Sequence, residues 1–215
     1  MLVPDIREPL KDELLEEIVN EAINSGIDIE NCRFYGDEFP EVSARLLEFN
    51  GCVFEKCTFG EVEIERLVFV DCVFTKCDLS RCNLRKATLQ RVRFQECRMI
   101  GASFEGSSLM SVGFTDCQMD YCNFSNTKAQ QLMMQRCAMS ENAFVSFKWK
   151  EWQLDGCRMN RCEFSDTPMK GMDVSTCEIG SWLIDLYSLR GLKVTQEQAL
   201  IFAGLLGLQI TDQPS

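Results

Sequence analysis

Residues 52–84 read CVFEKCTFGEVEIERLVFVDCVFTKCDLSRCNL, and the fold follows from their spacing. Cys52 is followed two places on by Phe54, Cys57 by Phe59, Cys72 by Phe74, Cys77 by Leu79 and Cys82 by Leu84. The beat is five residues, and it extends far outside this stretch. All thirteen cysteines have numbers ending in 2 or 7. Cys57, Cys77, Cys97, Cys117, Cys137, Cys157 and Cys177 recur every twenty residues without a miss. A fixed short period with no helical or heptad reading indicates a solenoid, in which stacked units share one core. The twenty-residue sub-period makes four pentapeptides one turn, so the turn has four sides.

Every fifth residue from Phe34 to Leu189 is apolar almost without exception, through thirty-two positions in unbroken register. The residue two places earlier is usually Cys, Ala, Ser, Thr or Val, and those between are mostly polar. Two side chains in five therefore point inward, the larger filling the axis and the smaller closing the corner. At four pentapeptides per turn this gives about eight coils, a rod on the order of 38 Å long at ~4.8 Å per coil. No insertion breaks the phase, which predicts a smooth shaft. Phe54, Phe74, Phe94 and Phe114 are predicted to stack along one inner side, and Leu84, Phe104, Phe124, Phe144 and Phe164 along the opposite one. Leu47, Leu67, Leu132, Phe147, Trp152, Met172, Trp182 and Tyr187 break the small-residue rule, which predicts local widening of the coil around bulky core.

The units CTFGE (57–61), CDLSR (77–81), CNLRK (82–86), ASFEG (102–106) and CNFSN (122–126) resemble those of the pentapeptide-repeat family. That resemblance implies an all-β solenoid, a right-handed quadrilateral β-helix. The tail GLKVTQEQALIFAGLLGLQI, residues 191–210, is similar to the C-terminal segment of Qnr-type quinolone-resistance proteins, especially the chromosomal ones of Gram-positive bacteria. This narrower resemblance implies a tail helix that pairs two rods end to end. It also implies a rod that imitates DNA and binds DNA gyrase or topoisomerase IV. The unbroken phase departs from the Gram-negative members, which carry projecting loops. A pentapeptide-repeat scaffold with a different protein partner and no gyrase activity is the alternative.

The chain divides into an N-terminal helical cap at 1–31, the repeat region at 32–191 and a C-terminal helix and tail at 192–215. Leu10, Leu14, Leu15, Ile18, Ala22 and Ile23 recur at helical spacing, with Ser25-Gly26 as a stop. A β-helix exposes an unpaired edge at each end, and this helix would cover one of them. Thr195 and Gln198 form a capping box that opens the second helix, and Gly207 suits its end. Leu208-Gln209-Ile210 could add a last strand. The second helix is apolar on more than one side, so a homodimer is predicted through Leu192, Ala199, Phe202, Ala203, Leu206 and Ile210. No secretory signal or membrane-length apolar stretch is evident, and thirteen thiols suit the reducing cytoplasm.

The residues offer no catalytic chemistry. Histidine is absent, and no phosphate loop or nucleophile elbow occurs. A zinc site needs ligands converging on a point, whereas this cysteine ladder runs along a line. The thiols are read as small, reduced core residues, and no enzyme activity, metal or cofactor is predicted. The net charge of −11 is uneven: residues 1–31 carry −7, and the four sides of the repeat carry about 0, −4, −2 and +3. Such a rod is more dilute in charge than DNA, with its one charge per ~1.7 Å of axis. Asp155, Glu163, Asp166, Asp173, Glu178 and Asp185, nearest the dimer end, are the acids expected to touch a basic partner surface. Lys76, Arg81, Arg85, Lys86, Arg91, Arg93 and Arg98 form a basic cluster in the linear sequence, read as a solvated face. Direct contact with nucleic acid or membrane is not expected.

Overall fold

The computed structural model of the chain describes residues 2–60, 63–209 and 211. They form a four-sided β-solenoid of about eight coils, with α1 (Leu15–Ser25) at one end and α2 (Gln196–Ala203) at the other. Taking one coil as 32–51, side one is 32–36, side two 37–41, side three 42–46 and side four 47–51, repeated every twenty residues. The local reason for the square lies in the corners. The third outward residue of most pentapeptides adopts a left-handed conformation, with φ between 50° and 63° at non-glycine corners from Asn31 to Asp166. Left-handed backbone is uncommon outside glycine, yet here it recurs at Lys56, Arg81, Tyr121 and Glu141. Each such corner turns the chain, so that the next inward pair again faces the axis.

Neighbouring coils pair in parallel at a constant offset of twenty. Phe34 pairs with Phe54, Phe54 with Phe74, Phe74 with Phe94 and Phe94 with Phe114. Phe59 N–H donates to Asp78 O at 2.7 Å, and Asp78 N–H returns to Cys57 O at 2.9 Å. Sides one and four hold most of the strands. In Ser108–Thr115, Lys128–Gln135 and Lys148–Asp155 a strand runs around the corner between them.

The axis is filled by aromatic columns. Phe54 and Phe74 stack with centroids 4.5 Å apart, Phe74 and Phe94 at 4.7 Å, and Phe94 and Phe114 at 4.9 Å. Across the coil, Phe104, Phe124, Phe144 and Phe164 stack at 4.7, 5.1 and 5.1 Å. Phe104 meets Phe114 edge-on at 5.9 Å, locking the two columns together. Each buried ring contributes about 1.5–3 kcal/mol by leaving water, and each aromatic pair roughly 0.5–1.5 kcal/mol more.

All thirteen cysteines are buried. They are more than filler, because many thiols donate to the carbonyl of the inward residue of the previous coil, twenty-three positions back. Cys122 Sγ reaches Met99 O at 3.0 Å and Cys162 Sγ reaches Met139 O at 2.9 Å. Thr127 Oγ1 reaches Phe104 O at 2.6 Å, and the indole N–H of Trp182 reaches Met159 O at 2.7 Å. A donor on a short stem is what these corners use.

Three features depart from the expectations above. First, α1 starts at Leu15, not Leu10, and buries Leu15, Val19 and Ala22, while Leu14 is exposed. Lys11–Asp12 instead pairs with Cys32–Arg33 as an extra rung. The residues before it lie back along the rod, where Asp5 N–H donates to Asp71 Oδ1 at 2.9 Å and Arg93 to Leu2 O at 2.5 Å. The inward pattern also begins at Ile29, which is buried and paired with Phe49. Second, one corner of the last coil is locally displaced, with the offset of twenty regained where Asp173 pairs with Lys193. Ser188, not Tyr187, takes the inward place above Thr167, whose N–H donates to Ser188 Oγ at 3.1 Å. Asp185 accepts from Ser188 N–H at 2.8 Å and from its hydroxyl at 2.7 Å, a turn that leaves Tyr187 exposed. The other seven bulky residues at small-residue places are buried. Third, Leu208 and Gln209 are not in a strand, and Ile210 lies outside the described residues. The chain after α2 closes in a 3-10 turn, Gly204–Leu206, ended by Gly207 at φ 71°.

Candidate partner-binding surfaces

The C-terminal end of the rod is assembled around one glutamine. Thr195 and Gln198 make the expected capping box, with Gln198 N–H donating to Thr195 Oγ1 at 3.1 Å and Thr195 N–H to Gln198 Oε1 at 2.9 Å. The remaining amide protons of Gln198 donate to Val174 O at 2.9 Å and Cys177 O at 2.8 Å. They satisfy carbonyls of the last coil that no further coil would reach. The sequence marks Gln198 for the box but gives no sign of this second duty.

Beside this cap lies an open hollow of about 370 Å³, lined by Leu186, Leu189, Leu192, Val194, Ala199, Phe202 and Ala203 along with Arg190. Four of the residues assigned to a dimer seam, Leu192, Ala199, Phe202 and Ala203, thus share one wall. Phe202 is half-buried and meets Trp182 of its own rod edge-on at 5.5 Å. Leu206 sits in the closing turn and its side chain lies outside the described residues, as does Ile210. Around the hollow Leu183, Leu186, Tyr187, Leu200, Leu205 and Leu208 are each more than 40% exposed. The apolar surface is concentrated at this end.

The six acids assigned to a partner surface are not brought to one face. Asp155 and Asp173 lie on side one, Glu178 on side two, and Glu163, Asp166 and Asp185 on side three. The last three form a group, in which Asp166 N–H donates to Asp185 Oδ2 at 3.1 Å and Ser146 Oγ to Asp166 Oδ2 at 2.9 Å. Hydrogen bonds from Ser188 hold the Asp185 carboxyl below the usual range, and those from Ser175 do the same for Asp173.

The basic cluster of 76–98 disperses over all four sides. Several of its members are neutralised by an acid one coil away: Lys76 by Glu96 at 3.6 Å, Arg85 by Glu105 at 3.1 Å and Arg91 by Asp71 at 2.5 Å. Arg93 is spent on the carbonyls of Val92, Ser111 and Leu2. Adjacency in sequence is not adjacency here, because successive pentapeptides face different directions.

Among the described residues no three of His, Cys, Asp or Glu are placed to hold a metal ion. Burial pushes the Cys82 and Cys162 thiols up to about 12, which keeps them protonated and unreactive. Among the described residues no helix is long and apolar enough to cross a membrane.

Three solved structures are similar to this chain along most of its length. Full-length QnrB1, a plasmid-mediated fluoroquinolone resistance protein, is 22% identical, with 92% of this chain and 95% of that one covered at a TM-score of 0.46. A trypsin-treated form of QnrB1 is 22% identical, with 94% and 97% covered at 0.42. HetL, a pentapeptide repeat protein involved in heterocyst differentiation regulation from the cyanobacterium Nostoc sp. strain PCC 7120, is 11% identical, with 84% and 95% covered at 0.29. No curated protein matches. Residues 47–114 and 87–161 match the family described as pentapeptide repeat region, so the matched span runs from 47 to 161, more than half of the chain. The chain belongs to the pentapeptide repeat family.

Proposed function

We propose that this chain is a non-catalytic rod that dimerises through its C-terminal end and binds a type II topoisomerase, DNA gyrase or topoisomerase IV, protecting it from quinolones or modulating it. The observation that carries the reading is the apolar end of the rod, where the hollow beside Phe202 is ringed by exposed Leu200, Leu205 and Leu208. A capping helix that still offers this much apolar surface calls for a partner, and a second copy of the same end supplies one with two-fold symmetry. Two rods of about eight coils would span roughly 75 Å, against ~34–36 Å for one turn of DNA. The likeness of residues 191–210 to the tails of Qnr-type proteins supports the choice of target. Duplex mimicry would draw on Glu163, Asp166 and Asp185, grouped near the seam. The buried thiols suit a cytoplasmic setting.

One observation favours a second reading, a scaffold for a different protein. The acids occupy three sides, and charged pairs one coil apart, such as Arg136 with Asp116 at 2.7 Å, cancel one another. A duplex mimic needs an unbroken negative face. A gyrase supercoiling assay titrated with the protein, with and without a fluoroquinolone, separates the two. Protection or a dose-dependent change in supercoiling supports the first reading, and no effect at any ratio supports the scaffold.

A further inference from the structure

Side four changes character along the rod. Its outward positions between 108 and 170 hold Ser108, Lys128, Lys148 and Pro168 in one column and Met110, Gln130, Lys150 and Lys170 in the other. Lys128 pairs in register with Lys148 and Gln130 with Lys150, so the two columns run side by side along the axis. All four lysines are exposed, and among the described residues none has a salt-bridge partner. The one acid of side four in these coils is the corner residue Glu151. In a chain of net charge −11 this is a local reversal of sign. The surface there is a shallow open hollow of about 300 Å³, floored by Leu109, Ala129 and Trp149.

We infer that this lysine face binds the phosphate backbone of a nucleic-acid duplex. The spacing selects that occupant. Four charges over three coils, about 14 Å, give one per ~3.6 Å of rod, against one per ~3.4 Å of axis for a single strand of duplex DNA. An extended acidic polypeptide turns alternate carboxylates to one face in a single row ~6.6 Å apart, which would leave one of the two lysine columns unmatched. The columns themselves stand ~6.6 Å apart, room for phosphates to seat between ammonium groups that act as point charges. Trp149 is half-buried and its indole N–H is bound to Pro168 O at 2.9 Å, so it is no free platform for stacking bases. The face therefore reads backbone and not sequence. The acidic N-terminal segment does not prevent this. Its nearest acid, Asp5, is bonded to Asp71, three coils or roughly 14 Å before the level of Gln131, and pairs with Arg7, and at ~0.1 M salt the screening length is about 10 Å.

The test is fluorescence anisotropy of a labelled mixed-sequence duplex of about 20 base pairs with the full chain and no topoisomerase, so that its outcome is independent of the function proposed above. Binding is expected at about 0.05–0.1 M salt, with log K falling against log salt at a slope of about −3 to −4. Lys148→Glu/Lys150→Glu should weaken binding at least ~10-fold and take about 2 from that slope. Lys86→Glu, on side three, should change neither. The inference is overturned by no binding at about 0.05 M salt or by parental affinity in the double variant. Polyglutamate that displaces the duplex at equal charge would also overturn it, by assigning the face to acidic proteins.

Discussion

The side-chain amide of Gln198 lies 2.9 Å from the carbonyl of Val174 and donates to it across twenty-four residues of sequence, with Cys177 O held at 2.8 Å by the same nitrogen. Removing it leaves the buried Cys177 carbonyl with no replacement donor, whereas Val174 O keeps the Cys177 N–H at 2.9 Å, and it releases the capping box. Gln198→Ala should therefore lower stability by about 2–4 kcal/mol, since an unmet buried polar group costs roughly 1–3 kcal/mol and a lost cap about 1. Urea denaturation of parent and variant measures it, and C-terminal amide exchange should rise first.

Asn142 is the reverse case. Its Oδ1 accepts from Cys122 N–H at 2.8 Å, but Nδ2 is buried with no partner in the described structure. At the matching places one and two coils before Cys122, Ala102 N–H bonds to Met99 O at 3.0 Å and Cys82 N–H to Leu79 O at 3.1 Å. Asn142→Cys should let Cys122 adopt the same turn and should stabilise the rod by about 1–2 kcal/mol. An unchanged or lower denaturation midpoint would contradict this account of the site.

The thiols should be silent in the native rod. A thiol reagent in native buffer should label few of the thirteen cysteines, and denaturant should release all of them together. Rapid native labelling of Cys82 or Cys162, whose thiols burial raises to about 12, would mean that those coils open readily.

Acid should loosen the N-terminal arm. Burial by itself would raise the Asp71 carboxyl. Hydrogen bonds from Arg91 at 2.6 and 2.5 Å and from Asp5 N–H at 2.9 Å outweigh burial and hold the carboxyl low. Its stabilisation is present in full above the unfolded-chain value of about 3.9 and is lost as pH falls through the lower folded value. Asp71→Asn should be less stable than the parent at pH 7, with the gap closing below about pH 4. Urea midpoints between pH 7 and 3 provide the comparison.

Phe202→Asp should split the proposed dimer, by placing an uncompensated charge in the apolar hollow. Because Phe202 also packs on Trp182, loss of the cap could produce the same result. Leu200→Asp, at a side chain 54% exposed on α2, leaves that packing alone. Sedimentation showing a dimeric parent and two monomeric variants supports the seam. If Leu200→Asp stays dimeric, the contact lies elsewhere.

The coil was legible because its rule is local: an inward pair every five residues, visible as Cys52 with Phe54 and repeated to Phe164. What escaped reading depended on relations twenty residues apart. The basic cluster at 76–98 looked continuous because Lys76, Arg81 and Arg85 are close in the chain, though they face three directions. The displaced corner at Tyr187 follows from an Asp185–Ser188 turn that no periodicity announces. Among the assigned acids, Glu163, Asp166 and Asp185 share a side, while Asp155, Asp173 and Glu178 were chosen by distance from the end alone.

The constant offset of twenty has a kinetic consequence. Sheet proteins usually fold slowly because their strands must find partners far along the chain. Here nearly every strand partner is twenty residues away in a chain of 215, a relative contact order of roughly 0.1, which is the range of helical bundles. Each coil can close on the one before it, with a loop-closure cost that does not grow as the rod lengthens. The molecule should therefore zip up from a nucleus of two or three aromatic coils, and unfold by fraying from its ends.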